Sequence, residues 1–174
     1  HNNLTRVVHA RAAVLLSAGA IGSAQLLQLS GIGCADELAS LGIPVVANLP
    51  EVGRNLQDHL DFCTLNKCRL PVSYDLSAWQ EIMVALRYLL TRSGPGVSNA
   101  AEAGAFVRSV LAPDSRPDIQ LHFVPAQLDD HGRQRLPGHG FTIHACALRP
   151  NSRGRVLLRS ARPEDAPRIE PHYL

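Results

Sequence analysis

The sequence predicts an α+β fold, in which an antiparallel sheet backed by helices follows a strip of α/β structure. The sheet is predicted from residues 119–124 and 141–148, where apolar and polar side chains alternate as in half-buried antiparallel strands. A backing helix is predicted by the capping-box spacing of Ser77 and Gln80 and by the apolar residues that recur behind it at helical intervals. The α/β strip is predicted from residues 12–33, where an apolar segment turns on small residues into a helix.

The pattern changes after His59, and we predict two domains there. Residues 1–59 form part of one domain, and residues 60–174 form an incomplete second domain that holds the antiparallel sheet. A chain of 174 residues suffices for about one domain with an adjoining piece, since a typical domain has roughly 100–200 residues. We find no internal repeat and no low-complexity tract in the sequence.

Within the first domain, the turn residues and apolar runs predict two strands and two short helices. Residues 1–11 are typical of the end of a hairpin, and residues 14–16 of a buried strand. Ser23 is a suitable N-cap for a helix that ends at Gly31 in the left-handed conformation. A second helix is predicted over residues 35–41.

Within the second domain, residues 61–69 and 153–160 complete the set of predicted strands. The polar stretch 127–139 predicts a hairpin excursion or a lid. Trp79 lies on the apolar stripe of the predicted helix, so we interpret it as a core residue and not as a platform for substrate.

Composition excludes several classes of function. The chain carries 17 basic and 15 acidic residues, a net charge of +2, which creates no strong field for nucleic acid or an anionic membrane. Six arginines fall within residues 149–168, but acidic residues interrupt them and no aromatic platforms accompany them, so no nucleic-acid partner is expected. The uncharged stretch 12–35 is too rich in glycine, serine and glutamine for a transmembrane segment.

The four cysteines and eight histidines show no spacing typical of a metal site, and we predict none. Cys63 and Cys68 lie five residues apart on a predicted strand, so their side chains point to opposite faces and would not form a disulfide. Free thiols in a reducing compartment are expected, which favours a cytoplasmic protein.

Six segments in a fixed order resemble one known family. They are residues 17–33 (SAGAIGSAQLLQLSGIG), 52–59 (VGRNLQDH), 101–106, 117–123, 149–156 and 167–171. Together they resemble the glucose-methanol-choline (GMC) flavoprotein oxidoreductases, and within them the branch of choline dehydrogenase and acceptor-dependent alcohol dehydrogenases. The resemblance covers almost the whole chain, with Ala24 and Cys34 standing where such proteins usually carry proline.

The resemblance implies an FAD-dependent alcohol dehydrogenase that oxidises a primary alcohol, choline-like or aliphatic, and passes electrons to an acceptor such as a quinone. It also places the protein in the cytoplasm or peripherally at the inner membrane. The Gly-x-Gly-x-x-Gly unit that binds the FAD pyrophosphate in this family and its C-terminal catalytic histidine are not found here. We therefore expect the chain to be an internal piece of a longer enzyme, to contain no catalytic residue, and to bind no FAD alone.

The cofactor edge is expected at the turn Ala18, Gly19 and Ala20, where a residue without Cβ lets a cofactor lie against the main chain. The resemblance further implies that the segment with Asn55 and Asp58 lies along FAD. The alternative for both segments is ordinary packing and turn formation.

The substrate pocket is expected to use Ser98 and Asn99, in a loop after a Gly-Pro-Gly turn, and two histidines of the predicted sheet. His122 and His144 would project from the same face if their strands are neighbours, on the side opposite Phe123 and Ile143. Structural roles are the alternative for all four residues. For the whole chain, the alternative function is a noncatalytic ligand-binding or interaction module derived from this fold.

Overall fold

The computed structural model describes residues 7–71, 73–129 and 133–173. These residues form two compact units: one runs up to Asp58 and resumes at Ser152, and the other spans His59–Asn151. The elements, in chain order, are α1 (Gly19–Leu29), β1 (Ile32–Gly33), α2 (Ala35–Ser40), β2 (Ala47–Asn48), β3 (Asp61–Lys67), α3 (Ala78–Thr91), a 3-10 turn (Pro95–Val97), β4 (Ala103–Val107), β5 (Ile119–Val124), β6 (Leu128–Asp129), β7 (Gln134–Arg135), β8 (Gly140–Ala147), β9 (Arg155–Leu157) and β10 (Arg168–Glu170). The predicted class, helices with an antiparallel sheet, is confirmed.

The last segment of the chain groups with the first unit, so its predicted place in the sheet domain is wrong. β9 pairs with β10 in a two-stranded antiparallel sheet of its own. The amide of Val156 donates to the Gly53 carbonyl at 2.7 Å, and Leu56 forms a β-bridge with Gly154. These main-chain bonds tie residues 152–173 to the segment before Asp58, and the alternation pattern of a strand does not reveal which partner it pairs with.

Helix α1 begins at Gly19, four residues before the predicted N-cap Ser23. Gly19 has a φ of +75°, so the chain turns there and enters the helix at once. Ser23 therefore lies within the helix, and its hydroxyl accepts a hydrogen bond from the Ala18 amide at 3.2 Å. The predicted end is confirmed, since Gly31 has a φ of +80° and its missing Cβ leaves room for the Pro44 carbonyl.

The predicted buried strand at residues 14–16 is wrong. Residues 12–17 form no strand, and Leu15 is 89% exposed. No described strand pairs with this segment, so its apolar side chains have nothing to pack against. Of the predicted hairpin at residues 1–11, the first six residues lie outside the described part of the chain, and residues 7–11 form no strand.

The first unit is built around a small core to which α2 and β9 each contribute a deeply buried residue. Leu38 of α2 is 1% exposed, and Val156 of β9 is almost as deeply buried. Buried Gln28 donates its side-chain amide to the Val156 carbonyl at 2.9 Å, which joins α1 to β9. The predicted second helix is confirmed by α2, after which Gly42 adopts a φ of +72°.

The second unit contains a four-stranded antiparallel sheet in the order β3-β8-β5-β4. Its register alternates side chains as predicted, and one face carries Phe62, Leu121, Phe123, Phe141 and Ile143. Phe123 and Phe141 contact each other on this apolar face, with ring centroids 5.4 Å apart. Within the predicted excursion at residues 127–139, β6 pairs antiparallel with β7, and residues 130–132 lie outside the described part of the chain.

Helix α3 confirms the predicted capping box: the Gln80 amide donates to the Ser77 hydroxyl, and the Gln80 side chain accepts from the Ser77 amide at 2.8 Å. The prediction that Trp79 is a core residue is wrong, because it is 68% exposed. The helix packs mainly against the 3-10 turn that follows it, and none of its residues is buried. Its apolar stripe therefore remains accessible in the described structure.

Candidate functional site

The first candidate region is a cleft in the first unit at the start of α1. It has a volume of about 350 Å³, and its lining includes Ala20, Gly53, Asn55 and Gln57. Two of the residues predicted to touch a cofactor, Ala20 and Asn55, therefore meet at one cleft although they lie 35 positions apart in the sequence. Asn55 has a φ of +59°, so the chain turns sharply beside the helix.

The beginning of α1 has chemical features that suit an anionic group. The N-cap residue Ala18 has no side chain that can accept from the first helical amides; the Ser23 hydroxyl bonds only the Ala18 amide, which precedes the helix. The first amides of a helix need an acceptor, and the helix dipole favours a negative charge there. A Cβ added to Gly19 would meet no atom within 4 Å, so the space over this turn is open.

Asp58, the last residue predicted at the cofactor edge, makes a different contact. Its carboxylate accepts a hydrogen bond from the Tyr173 hydroxyl, which raises the pKa of that phenol. Sequence reasoning did not consider Tyr173, because no pattern links residue 58 to the end of the chain.

The second candidate region is the polar face of the sheet in the second unit. The register places His122 directly opposite His144 on β5 and β8, so these strands are neighbours and the condition for a shared face is met. On the other edge of β8, the register with β3 places Cys63 opposite His144 and Asp61 opposite Cys146. Because alternate residues of a strand share a face, these five side chains lie on one side of the sheet.

Asp61 is the centre of this polar face. Its carboxylate contacts the Nδ1 atom of His144 at 2.6 Å and accepts a hydrogen bond from the Cys146 thiol at 3.3 Å. Burial raises the pKa of Asp61, but the hydrogen bonds from His144 and Cys146, and the charges of His144 and His122, outweigh burial and lower it overall. Burial, followed by the bond to Asp61 and its charge, raises the pKa of Cys146. Asp61 is therefore an anion and Cys146 a neutral thiol at pH 7.

Sequence reasoning missed Asp61 and Cys146 as members of this site. The strands that carry them were predicted, but the register between β3 and β8 was not. The sequence did contain one signal. Asp61 and Cys63 are two positions apart, as are His144 and Cys146, so each pair lies on one face of its strand.

The predicted loop residues Ser98 and Asn99 line a shallow depression of the second unit together with Glu102. Glu102 accepts a hydrogen bond from the Tyr74 hydroxyl; burial and this bond raise the pKa of Tyr74, although Ser98 opposes the shift. Among the described residues, neither Ser98 nor Asn99 makes a hydrogen bond to His122 or His144. The structure thus brings the two histidines together but leaves the loop pair as a separate patch.

Two further observations concern metals and membranes. Within residues 7–71, 73–129 and 133–173, no group of three or more His, Cys, Asp or Glu side chains is arranged to hold a metal ion. In the same part of the chain, no helix has both the length and the hydropathy required to cross a membrane.

Comparison with known proteins gives related sequences over nearly the whole chain. Residues 1–61 match the family described as GMC oxidoreductase. Alcohol dehydrogenase (acceptor) of Pseudomonas putida is 49% identical over 165 residues, which are 92% of this chain and 30% of that protein. Mitochondrial choline dehydrogenase of Homo sapiens is 42% identical over 175 residues, which are 99% of this chain and 29% of that protein.

Solved structures show the same relationship. A variant of formate oxidase from Aspergillus oryzae RIB40 superimposes with a TM-score of 0.79 at 26% identity, covering 89% of this chain and 32% of the oxidase. The chain thus spans about three tenths of the length of the proteins it matches. Sequence and fold confirm the predicted resemblance to the GMC oxidoreductases.

Proposed function

We propose that this chain is a segment of an FAD-dependent alcohol dehydrogenase that oxidises a primary alcohol and passes electrons to an acceptor such as a quinone. The first unit contributes one edge of the cofactor site, and the second contributes a wall of the substrate pocket. The names of the relatives support this reaction class, since one is an acceptor-type alcohol dehydrogenase and another a choline dehydrogenase. The choice between a choline-like and an aliphatic alcohol depends on the shape of that pocket.

The observation that carries the proposal is the uncapped start of α1 beside the cleft lined by Ala20 and Asn55. Amides without a capping side chain and open space over Gly19 fit the pyrophosphate or adenosine portion of FAD. Asn55 offers an amide side chain at the same cleft, and Asp58 follows it in the chain. When bound, FAD supplies the acceptor for a hydride from the alcohol carbon.

The polar face of the second unit supplies groups that suit a hydroxyl substrate. His122 and His144 lie side by side on rigid strands, which hold a hydrogen-bonding group more firmly than a loop does. Ser98 and Asn99 add hydroxyl and amide groups from the separate loop patch of the same unit. These residues bind and orient the alcohol in our proposal, while the base that removes its proton belongs to a part of the enzyme outside this chain.

The exposed apolar surfaces support a further part of the proposal, namely that the segment packs against the rest of the same polypeptide. The apolar stripe of α3 in one unit and the segment around Leu15 in the other are each accessible, and exposed apolar surface of this kind often marks an interface. We propose a cytoplasmic enzyme, free or peripherally attached at the inner membrane.

The flavin part of the proposal is tested by comparing two glycine variants in the longer enzyme. Gly19 and Gly42 have φ values of +75° and +72°, and an added Cβ would meet no atom within 4 Å at either position. Gly19→Ala and Gly42→Ala therefore impose the same backbone strain, but only Gly19 lies at the proposed cofactor edge. We expect Gly19→Ala to lower the flavin bound per protein and the rate of dye reduction by an alcohol, and Gly42→Ala to leave both nearly unchanged.

The isolated chain provides the second test. We expect it to purify colourless and to reduce no dye acceptor when alcohols are added. A yellow preparation with one flavin per chain would show that the remaining parts of the enzyme are not needed to hold the cofactor. Equal flavin contents in the two glycine variants would argue against a cofactor contact at α1.

A further inference from the structure

The polar face of the sheet contains a hydrogen-bonded array that fixes the tautomer of a neutral His144. Asp61 bonds both neighbours: one carboxylate oxygen contacts Nδ1 of His144 at 2.6 Å, and the other accepts the Cys146 thiol at 3.3 Å. An ionised carboxylate only accepts hydrogen bonds, so Nδ1 of His144 must carry the proton that lies between them. In the neutral imidazole the other nitrogen, Nε2, is then an acceptor.

The array is held by the sheet and not by flexible segments. Asp61 stands opposite Cys146 in the register of β3 and β8, and His144 lies two residues before Cys146 on the same face. The thiol bond to the second carboxylate oxygen is a further contact that favours this orientation of Asp61. The side chains of His144 and Asp61 remain 23% and 39% exposed, so the face is open to a ligand.

We propose that Asp61 is a positioning residue, which holds His144 in the tautomer whose unprotonated Nε2 accepts a hydrogen bond from the hydroxyl group of the alcohol in the initial complex, before that hydroxyl turns to the base outside this chain. The identity of that ligand rests on the proposed function. The alcohol O–H is the donor and His144 the acceptor, so the contact selects for a free hydroxyl and against an ether or an aldehyde of the same shape.

The first test measures the tautomer of His144 in the unmodified chain by nitrogen-15 NMR of the imidazole rings. Charge-assisted hydrogen bonds are worth enough to favour the Nδ1-protonated form by at least about tenfold. We therefore expect Nδ1 to be protonated and Nε2 unprotonated when the ring is neutral. A proton found mainly on Nε2 would overturn the inference, and this outcome requires no variant to fold.

The second test uses three carboxylate variants and the same spectra. Asp61→Asn replaces an acceptor-only group by an amide, so the preference for the Nδ1-protonated form should fall several-fold. Asp61→Glu keeps a carboxylate and should retain most of the preference for the Nδ1-protonated form. Asp114→Asn is the matched control, because Asp114 bonds Arg116 elsewhere in the same unit. An unchanged tautomer in Asp61→Asn would contradict the positioning role.

These measurements separate the inference from the proposed function, because they require neither flavin nor turnover. A wrong tautomer would remove the role of Asp61 while leaving the flavin proposal intact. A longer enzyme that fails to oxidise any alcohol, with the tautomer as expected, would instead overturn the proposed function and the assignment of the hydroxyl ligand.

Discussion

Gly53 is a position where the structure predicts a large effect from a small change. Its φ is +83°, and a Cβ added there would fall 2.3 Å from the Val156 carbonyl oxygen and 2.6 Å from Nε2 of Gln28. Both distances are too short for any side chain. Gly53→Ala must therefore displace β9 or the buried Gln28 amide, and with it the 2.9 Å hydrogen bond that joins α1 to β9.

The expected cost has two parts. Placing a Cβ in the left-handed region costs about 1–2 kcal/mol. Breaking the Gln28 bond leaves buried polar groups without partners, which costs about 1–3 kcal/mol more. Gly53→Ala should therefore destabilise the first unit by about 2–5 kcal/mol, whereas Gly42→Ala, with φ +72° and no atom within 4 Å, should cost only the first part.

Amide hydrogen exchange measured on the peptide covering α1 reports this difference directly. Since each 1.4 kcal/mol corresponds to a factor of ten, exchange in Gly53→Ala should exceed that in Gly42→Ala by about 5- to 100-fold. Peptides from the sheet of the second unit serve as an internal reference. If the two variants exchange alike at α1, Gly53 does not approach β9 as closely as the structure shows.

Three other changes have defined outcomes. Ser77→Ala removes the capping box of α3 and should cost about 1 kcal/mol of helix stability, seen as faster amide exchange in the first turn; an unchanged rate would contradict the cap. Thr142→Val deletes a fully buried hydroxyl that donates to the Ala126 carbonyl at 2.7 Å, and should cost about 1–3 kcal/mol in urea unfolding, more than Thr142→Ser. The hydrogen bond from Arg116 holds the pKa of Asp114 at about 2, so Arg116→Gln should return it toward 3.8 in a carboxyl NMR titration. Because this pKa is lowered on folding, the stabilisation is present above the unfolded pKa and is lost as the pH falls through about 2; a value that stays near 2 in the variant would contradict the pairing.

Local patterns in the sequence predicted local structure well. Ser77 and Gln80 lie three residues apart, so their capping box depends on nothing outside α3, and the structure confirms it. Alternation in β5 and β8 predicted which residues share a face, and the opposition of His122 and His144 follows once these strands are neighbours. Gly31 was predicted at a helix end because few other residues adopt positive φ.

Contacts between distant segments were not predictable in the same way. The order β3-β8-β5-β4 is not the order of the chain, and the pairing of Asp61 with Cys146 depends on a register that no local pattern specifies. The return of residues 152–173 to the first unit depends on main-chain bonds at Gly53 and Leu56, which any sequence with a free amide and carbonyl can form. Trp79 was misinterpreted because an apolar stripe predicts a buried face without identifying what covers it.

The two candidate regions differ in how far their polar groups are already satisfied. The Asp61 array takes all its members from two adjacent strands, and each hydrogen bond has its partner within the sheet, so its geometry requires no ligand. The start of α1 is the opposite case, because its N-cap Ala18 offers no acceptor to the first amides. An acceptor from outside the described residues, solvent or ligand, must therefore complete that turn. The tautomer of His144 is accordingly a property of the chain alone, whereas a role of Gly19 can be observed only where flavin is bound.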